Sequence, residues 1–308
     1  KVTCRKMQKK EEKMYSALLV IIYLAFISLG LPDTLLGSAW PQMHIELNAS
    51  LSSAGIITMI ISMGTVISSL FSDRLNIKLG TGKVTAISVL MTAVALLGFS
   101  LSHSFIILCV LAVPYGLGAG AVDAALNNYV ALHYSSKHMS WLHCFWGVGA
   151  SIGPYIIGTC MAHGLGWRGG YSVISVLHFT LTSSLFITLP LWKKVENSEN
   201  NVINGNNERT QEEPQERKAK SLSEVLHIKG VIYILFAFFC YSAVEQTTTL
   251  WCASYLVLNR SIDSNIAAKF AAFFYIGITF GRFLCGFIAD KLGDKNMIRL
   301  GIVIIVAG

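Results

Sequence analysis

The apolar residues of this chain fall in long unbroken runs, not in the alternation that a half-buried strand shows. Nine runs stand out, at roughly 15–39, 51–71, 84–102, 105–132, 139–162, 168–192, 229–257, 266–289 and from 297 onward. Most reach the about 20 residues that an α-helix needs to cross a bilayer. Hydrocarbon offers no water to backbone N–H and C=O groups, so only helices and closed barrels span it. Without strand-like alternation, the pattern predicts an all-α, polytopic membrane protein. Between the sixth and seventh runs, residues 193–220 turn to Asn, Glu, Gln and Lys, which predicts a flexible cytoplasmic linker. Ser221-Leu-Ser-Glu224 then reads as a capping box opening a short helix toward His227. The expected organisation is a six-helix bundle over 1–192, a linker with a short helix over 193–227, and a second, incomplete bundle over 228–308.

Composition agrees with this pattern. The 308 residues are 53% hydrophobic and 13% charged, against about 25% charged in soluble domains. The net charge of +7 does not point to nucleic acid, because the basic residues gather in loops and tails. Their distribution orients the chain: Lys and Arg crowd the segment before the first run and the loops after the second, fourth, sixth and eighth, while the alternate loops hold few. The positive-inside rule then puts the N-terminus in the cytoplasm, with the cell membrane as the expected location. Two glycosylation sequons, Asn48-Ala-Ser50 and Asn259-Arg-Ser261, fall in expected outer loops. The Lys-rich start before Ala17–Leu29 looks like a signal peptide, but its apolar run outlasts signal length and no A-x-A site follows. Seven cysteines show no metal spacing and read as small packing residues. His133, His138 and His143, spaced by five, share no helical face, so no metal site is expected.

The candidate chemistry lies inside the runs. In Tyr115-Gly-Leu-Gly-Ala-Gly-Ala-Val-Asp123-Ala-Ala-Leu-Asn127-Asn128, Asp123 and Asn127 are i and i+4 on one helix face. A carboxylate at such depth costs roughly 3 kcal/mol on insertion scales, which marks it as a candidate site; the alternative is a structural hydrogen bond between helices. Asp33 follows Pro32 in the first run, and Glu245, beside Gln246, sits near the middle of the seventh. Asp33 also reads as a helix-end acid near the outer water. Such carboxylates can exchange a proton, which would couple transport to a proton gradient. His143 near the cytoplasmic end of the fifth run is a proton or hydrogen-bond acceptor, or a packed structural histidine. Trp146, Trp40 and Trp251 offer flat surfaces on which a sugar ring could stack, although tryptophan is common at membrane interfaces.

An internal repeat ties these runs together. Gly64-x8-Asp73-Arg74-Leu75 ends the second run and Gly281-x8-Asp290-Lys291-Leu292 ends the eighth; 290 − 73 and 281 − 64 both give 217. Halves of six helices in the same orientation are the parallel repeat of one transporter class. The two loops resemble the cytoplasmic loop motif of the major facilitator superfamily, a glycine followed by Asp-Arg-x-Gly and basic residues. The second copy, Gly286-Phe-Ile-Ala-Asp290-Lys291-Leu-Gly293-Asp-Lys295, is the fuller match; the first has Ser69 and Asn76 in place of two glycines. The resemblance implies two parallel six-helix bundles, of which eight or nine of twelve helices are present here: 192 + 217 = 409, about 100 residues past 308. It also implies that Gly64, Asp73, Arg74, Gly281, Arg282, Asp290 and Lys291 hold the cytoplasmic side shut, where ordinary solvated loop charge is the alternative. Arg282 also reads as pairing with a carboxylate or reaching the cytoplasmic surface.

Asp123 with Asn127 in the fourth helix, Asp33 in the first and Tyr241-Ser-Ala-Val-Glu245 in the seventh resemble the fucose-permease-like branch of sugar:proton symporters, with Ala243 where that branch has glycine. The expected function is proton-coupled transport of a small polar solute, most simply a sugar, by a monomer in the lipid bilayer. Asp123, Asn127, Asn128, Asp33, Glu245, Gln246, His143 and Trp146 would form the site, with no cofactor beyond the proton gradient and no catalysis. Gly149-x3-Gly153-Pro154-x3-Gly158 also resembles a fifth-helix motif of drug:proton antiporters, which keeps efflux open; a non-transporting sensor or scaffold is the alternative from another class.

Overall fold

The computed structural model describes residues 2–207, 224 and 226–307, with side chains from residue 14 onward except at 136, 196–207, 286, 289–291 and 294. Among the described residues every regular element is an α-helix: α1 (Val2–Asp33), α2 (Leu35–Glu46), α3 (Ser53–Leu79), α4 (Thr81–Leu101), α5 (Phe105–His133), α6 (Ser136–Ala162), α7 (Gly166–Asn207), α8 (Val231–Arg260), α9 (Ser264–Leu292) and α10 (Asp294–Ala307). Eight stretches are long and apolar enough to cross a membrane, the first of them, Met14–Glu46, made of α1 and α2 together.

Three boundaries differ from the sequence expectation, each for a local reason. The first run is two helices. Pro32 lacks an N–H and its ring crowds the preceding turn; α1 ends one residue later and Thr34 is a turn. The expected outer loop at 40–50 is largely α2, leaving a turn in which Asn48 takes φ 50°. Secondly, Asp73 and Arg74 are not in a loop. Asn76 stands where the second copy has Gly293, whose φ of 74° stops α9 after Leu292; α3 continues until Gly80 supplies the positive φ, 82°. Thirdly, α7 continues through Asn207, and Val195, at the start of the expected linker, is buried beside Trp192, the last residue of the expected bundle. The polar composition there suits a solvated helix surface as well as a coil. The capping serine, Ser221, lies outside the described residues.

The helix α6 packs against α1, α7 and α9. Helix α1 lies against α6 and α7, α4 fits between α5 and α7, and α3 packs on α5. Contact with the later helices comes from α9 on α6 and α8 on α2. One buried cluster gathers Trp40, Met43, Phe99, Trp167 and Tyr171; another gathers Leu18, Ile22, Phe26, Tyr129, Leu142 and Trp192. At the Glu46 end of α2, one carboxylate oxygen accepts the Trp167 indole N–H at 3.0 Å and pairs with Arg168. Arg168 also donates to the Ser102 carbonyl at 3.1 Å and lies over the Trp167 ring at 4.2 Å, so α2, α4 and α7 are tied at one end.

Close approach sets the position of α1. A Cβ on Gly30 would fall 2.0 Å from the Trp146 carbonyl oxygen, one on Gly149 2.0 Å from that of Ile27, and one on Gly153 2.4 Å from that of Leu31. In lipid, where no water is expelled between helices, such backbone contact is a main source of association. The Gly149-x3-Gly153 pattern is therefore the seam between α1 and α6.

Candidate functional site

The bend at Pro32 and Thr34 puts Asp33 well inside the first crossing, 46 − 33 = 13 residues before the end of α2, about 20 Å at 1.5 Å per residue. It ends α1, but the same crossing continues through α2 to Glu46, so it does not sit at the outer end of that crossing. Its Oδ2 accepts the Trp146 Nε1–H at 2.8 Å and its Oδ1 accepts the Tyr115 Oη–H at 3.3 Å. The carboxylate is exposed, but to a cavity rather than to the outside of the bundle. That cavity, about 520 Å³, is walled by Asp33 and Gly37, by Thr58, Ser62 and Thr65 of α3, by Tyr115 of α5, and by Ser242, Gln246 and Thr249 of α8. Hydroxyl, amide and carboxylate groups converge on it among apolar walls, the usual make-up of a small-molecule site.

A second carboxylate joins through Trp146. The Arg282 guanidinium lies 4.9 Å from the Trp146 ring centre, on the indole whose N–H serves Asp33. Arg282 Nη2 is 3.7 Å from Glu245 Oε1. Glu245 is nearly buried and Arg282 partly so. Tyr115, Asp33, Trp146, Arg282 and Glu245 thus form one continuous polar chain drawn from α5, α1, α6, α9 and α8. Arginine is suited to this place because its plane can stack on the indole while its edge meets a carboxylate.

The remaining sequence candidates divide. Gln246 lines the cavity. Asp123 does not line it; the carboxylate is half-buried, and Asn127 donates to its Oδ1 at 2.9 Å and to its backbone carbonyl at 3.0 Å. Asn128 is exposed, one residue off that face. His143 is partly buried, edge-on to Phe26 at 6.1 Å. Trp40 is fully buried and donates to the Leu51 carbonyl at 2.7 Å, so it belongs to the core and offers no surface to a ligand. Of the gating set, Asp73 and Arg74 are exposed, with Arg74 6.0 Å above the Phe71 ring. Gly64 sits at the α3–α5 contact, Gly281 faces open space, and Arg282 joins the cavity cluster instead. The side chains of Asp290 and Lys291 lie outside the described residues.

Sequence reasoning passed over Tyr115, although it precedes Asp123 by two steps of four on one helix. It also passed over the hydroxyls of α3, whose Ser and Thr spacing looks like helix packing until the cavity is seen. Among the described residues no cluster of His, Cys, Asp or Glu could hold a metal ion.

A family model, the Major Facilitator Superfamily, matches residues 22–308. The chain belongs to that superfamily, a family of multi-pass membrane transporters and not of enzymes. It is 25% identical over 301 residues to the Cis,cis-muconate transport protein of Acinetobacter baylyi, covering 91% of this chain and 68% of the relative. It is 21% identical over 272 residues to the Glucose/mannose transporter GlcP of Bacillus subtilis, covering 88% and 65%. Among solved structures, a bacterial homologue of the human lysosomal transporter Spinster, inward-facing and unoccupied, aligns with a TM-score of 0.62 at 15% identity over 92% of this chain and 64% of that one. At that identity the likeness is one of fold. The chain spans about three fifths of the length of the curated relatives it matches.

Proposed function

We propose that the protein is a secondary active transporter that moves a small polar organic solute, a sugar in the simplest case, together with a proton, by rocking two like-oriented bundles about the cavity. The observation that carries this reading is Asp33, a carboxylate deep in the first crossing, accepting two hydrogen bonds on the wall of a polar-lined cavity. Its neighbours suit a hydroxylated solute: the α3 hydroxyls and Gln246 are both donors and acceptors. Asp33 would carry the proton, with Glu245 as the second acid across the cluster. Asp123 and Asn127 remain in this proposal as a supporting pair on α5, and the fucose-permease-like branch is the one these residues suggest. The exposed Asp73 and Arg74, with Asp290 and Lys291, keep the proposed gating role at the cytoplasmic side, and the proposal keeps the N-terminus in the cytoplasm and the cell membrane as the location. The residues up to 192 and those from 228 would be the two bundles.

Arg282 favours a second reading, an acidic solute. At 3.7 Å its pairing with Glu245 is loose, and a solute carboxylate could compete for it; one relative is named for muconate and another for glucose and mannose. Of the antiporter-like glycines of α6, Gly149 and Gly153 pack in the α1 seam and Gly158 packs against α9. The deciding experiment is uptake by the full-length protein in proteoliposomes, with glucose, mannose, fucose, a hexuronate and muconate, with and without a pH gradient. The proposal expects one of these solutes to bring protons in with it, and Asp33→Asn to abolish that coupled entry. Solute flux with no proton movement, or coupling intact in the variant, would overturn it.

A further inference from the structure

Three crossings meet at one face of the membrane. Ser53–Leu79 ends there, Thr81–Leu101 begins there, and Gly166–Val195 ends there. Between the turn that joins the first two and the end of the third lies a cavity of about 400 Å³. It shares no residue with the solute cavity. Its lining is of two kinds. Lys83 of α4 and Lys193 of α7, both exposed, bring two positive charges, and no carboxylate among the described residues lines it. Leu79, Phe186, Leu189 and Pro190 supply the apolar part.

Two further features call for acceptor oxygens. Helix α4 starts after Gly80 with no side-chain cap and no acid in its first turn. The N–H groups of residues 81–83 therefore have no helical acceptor, and the helix dipole adds partial positive charge beside Lys83. Beside them lies Trp192: a Cβ on Gly82 would fall 2.6 Å from its Cγ. Trp192 is 2% exposed and lines the cavity, and its Nε1–H has no hydrogen-bond partner. A buried indole N–H usually has an acceptor.

A free anion would meet only the polar half of this cavity. Leu79 also lines a second groove, of about 320 Å³, between α3 and α4. Apart from Ser68 and Ser88 its lining is apolar. On α3 it reaches from Ile67 to Leu79, 79 − 67 = 12 residues, or about 18 Å into the membrane at 1.5 Å per residue. A charged headgroup site at the end of the crossings and an apolar groove leading away from it match the two parts of a phospholipid.

We propose that this is a specific site for an anionic phospholipid, with the phosphate between Lys83, Lys193 and the first amides of α4 and one acyl chain in the groove between α3 and α4. Basic pockets between crossings hold such headgroups by charge and by charge-assisted hydrogen bonds. The bound lipid joins the start of α4 to the end of α7. In the orientation proposed above the lipid comes from the cytoplasmic leaflet. The site does not depend on the transport reading.

The test is thermal unfolding and lipid titration of the full-length protein in detergent. Phosphatidylglycerol should raise the Tm by about 4 °C over phosphatidylcholine with the same chains. Lys83→Gln/Lys193→Gln should remove most of that rise. Lys78→Gln/Lys194→Gln, the same loss of charge at exposed lysines that do not line the cavity, should keep it. Trp192→Phe, which keeps a ring but not the donor, should weaken phosphatidylglycerol binding about fivefold. Equal shifts from the two lipids, or an equal loss in the two lysine pairs, would show only diffuse surface attraction and overturn the site. Inorganic phosphate reproducing the shift would overturn the lipid in favour of a free anion. Parent affinity in Trp192→Phe would overturn the part given to the indole.

Discussion

Arg282 shows how much one residue's setting decides. Two unit charges about 4 Å apart attract by roughly 4 kcal/mol at an effective dielectric of 20, and desolvation of both ions offsets much of that. The larger effect comes from breaking the pair. Arg282→Ala leaves Glu245, whose side chain is 12% exposed, without its counter-charge. Fully buried pairs lose about 3–5 kcal/mol when one partner goes; Arg282 is 30% exposed, so about 1–3 kcal/mol is expected here. Arg282→Ala/Glu245→Gln removes both charges and should regain at least half the loss, which thermal unfolding of the purified variants measures. Arg282→Lys keeps the charge but not the planar face over Trp146, and should keep stability while losing most of the uptake. At this scale the sequence was only partly legible. Glu245 and Arg282 could each be singled out, because an ionisable group inside an apolar run is conspicuous. That they meet, with Trp146 between Arg282 and Asp33, depends on how α1, α6, α8 and α9 cross, and no local pattern encodes that.

At the scale of the helix, what the sequence reveals is the period and what it conceals is the stop. All eight crossings coincide with apolar runs, since burial in lipid asks only for length and composition. Two of the three misplaced ends share a cause: one residue that permits or forbids a turn. Asn76 lets α3 run past Asp73, and Pro32 divides the first crossing. The glycine seam was likewise visible as a pattern, but its meaning needed the partner helix. It makes a sharp prediction. A methyl group on Gly149 would sit 2.0 Å from the Ile27 carbonyl oxygen, backbone that cannot swing aside. Gly149→Ala should therefore push α1 off α6 and cost about 1–3 kcal/mol, seen as a lower Tm and as loss of Trp146 fluorescence changes on solute addition. Gly55, which has open space where a Cβ would go, is the control: Gly55→Ala should not lower the Tm, since alanine is the better helix former.

At the scale of the whole molecule, the proposal requires that α6 and α9 move against each other. They pack closely, and a Cβ on Gly147 would lie 3.1 Å from the Cβ of Thr279. Disulfides need a Cβ separation of about 3.5–4.5 Å, so a few tenths of an ångström of give would allow a bond between cysteines at these positions. In a background with Cys144→Ser and Cys285→Ser, which removes the nearby thiols, Gly147→Cys/Thr279→Cys should crosslink on mild oxidation. If solute crosses by rocking, oxidised protein should bind solute yet transport less than about a tenth of the reduced protein, and dithiothreitol should restore the rate. Binding itself should survive, because Asp33, Gln246 and the α3 hydroxyls are not on the crosslinked seam. A crosslinked protein that transports at full rate would mean that α6 and α9 move as one body, and the moving boundary would then have to be sought at the contact of α2 with α8. There the backbones also approach closely: a Cβ on Gly37 would fall 2.1 Å from the Thr249 carbonyl oxygen, beside the cavity that both residues line.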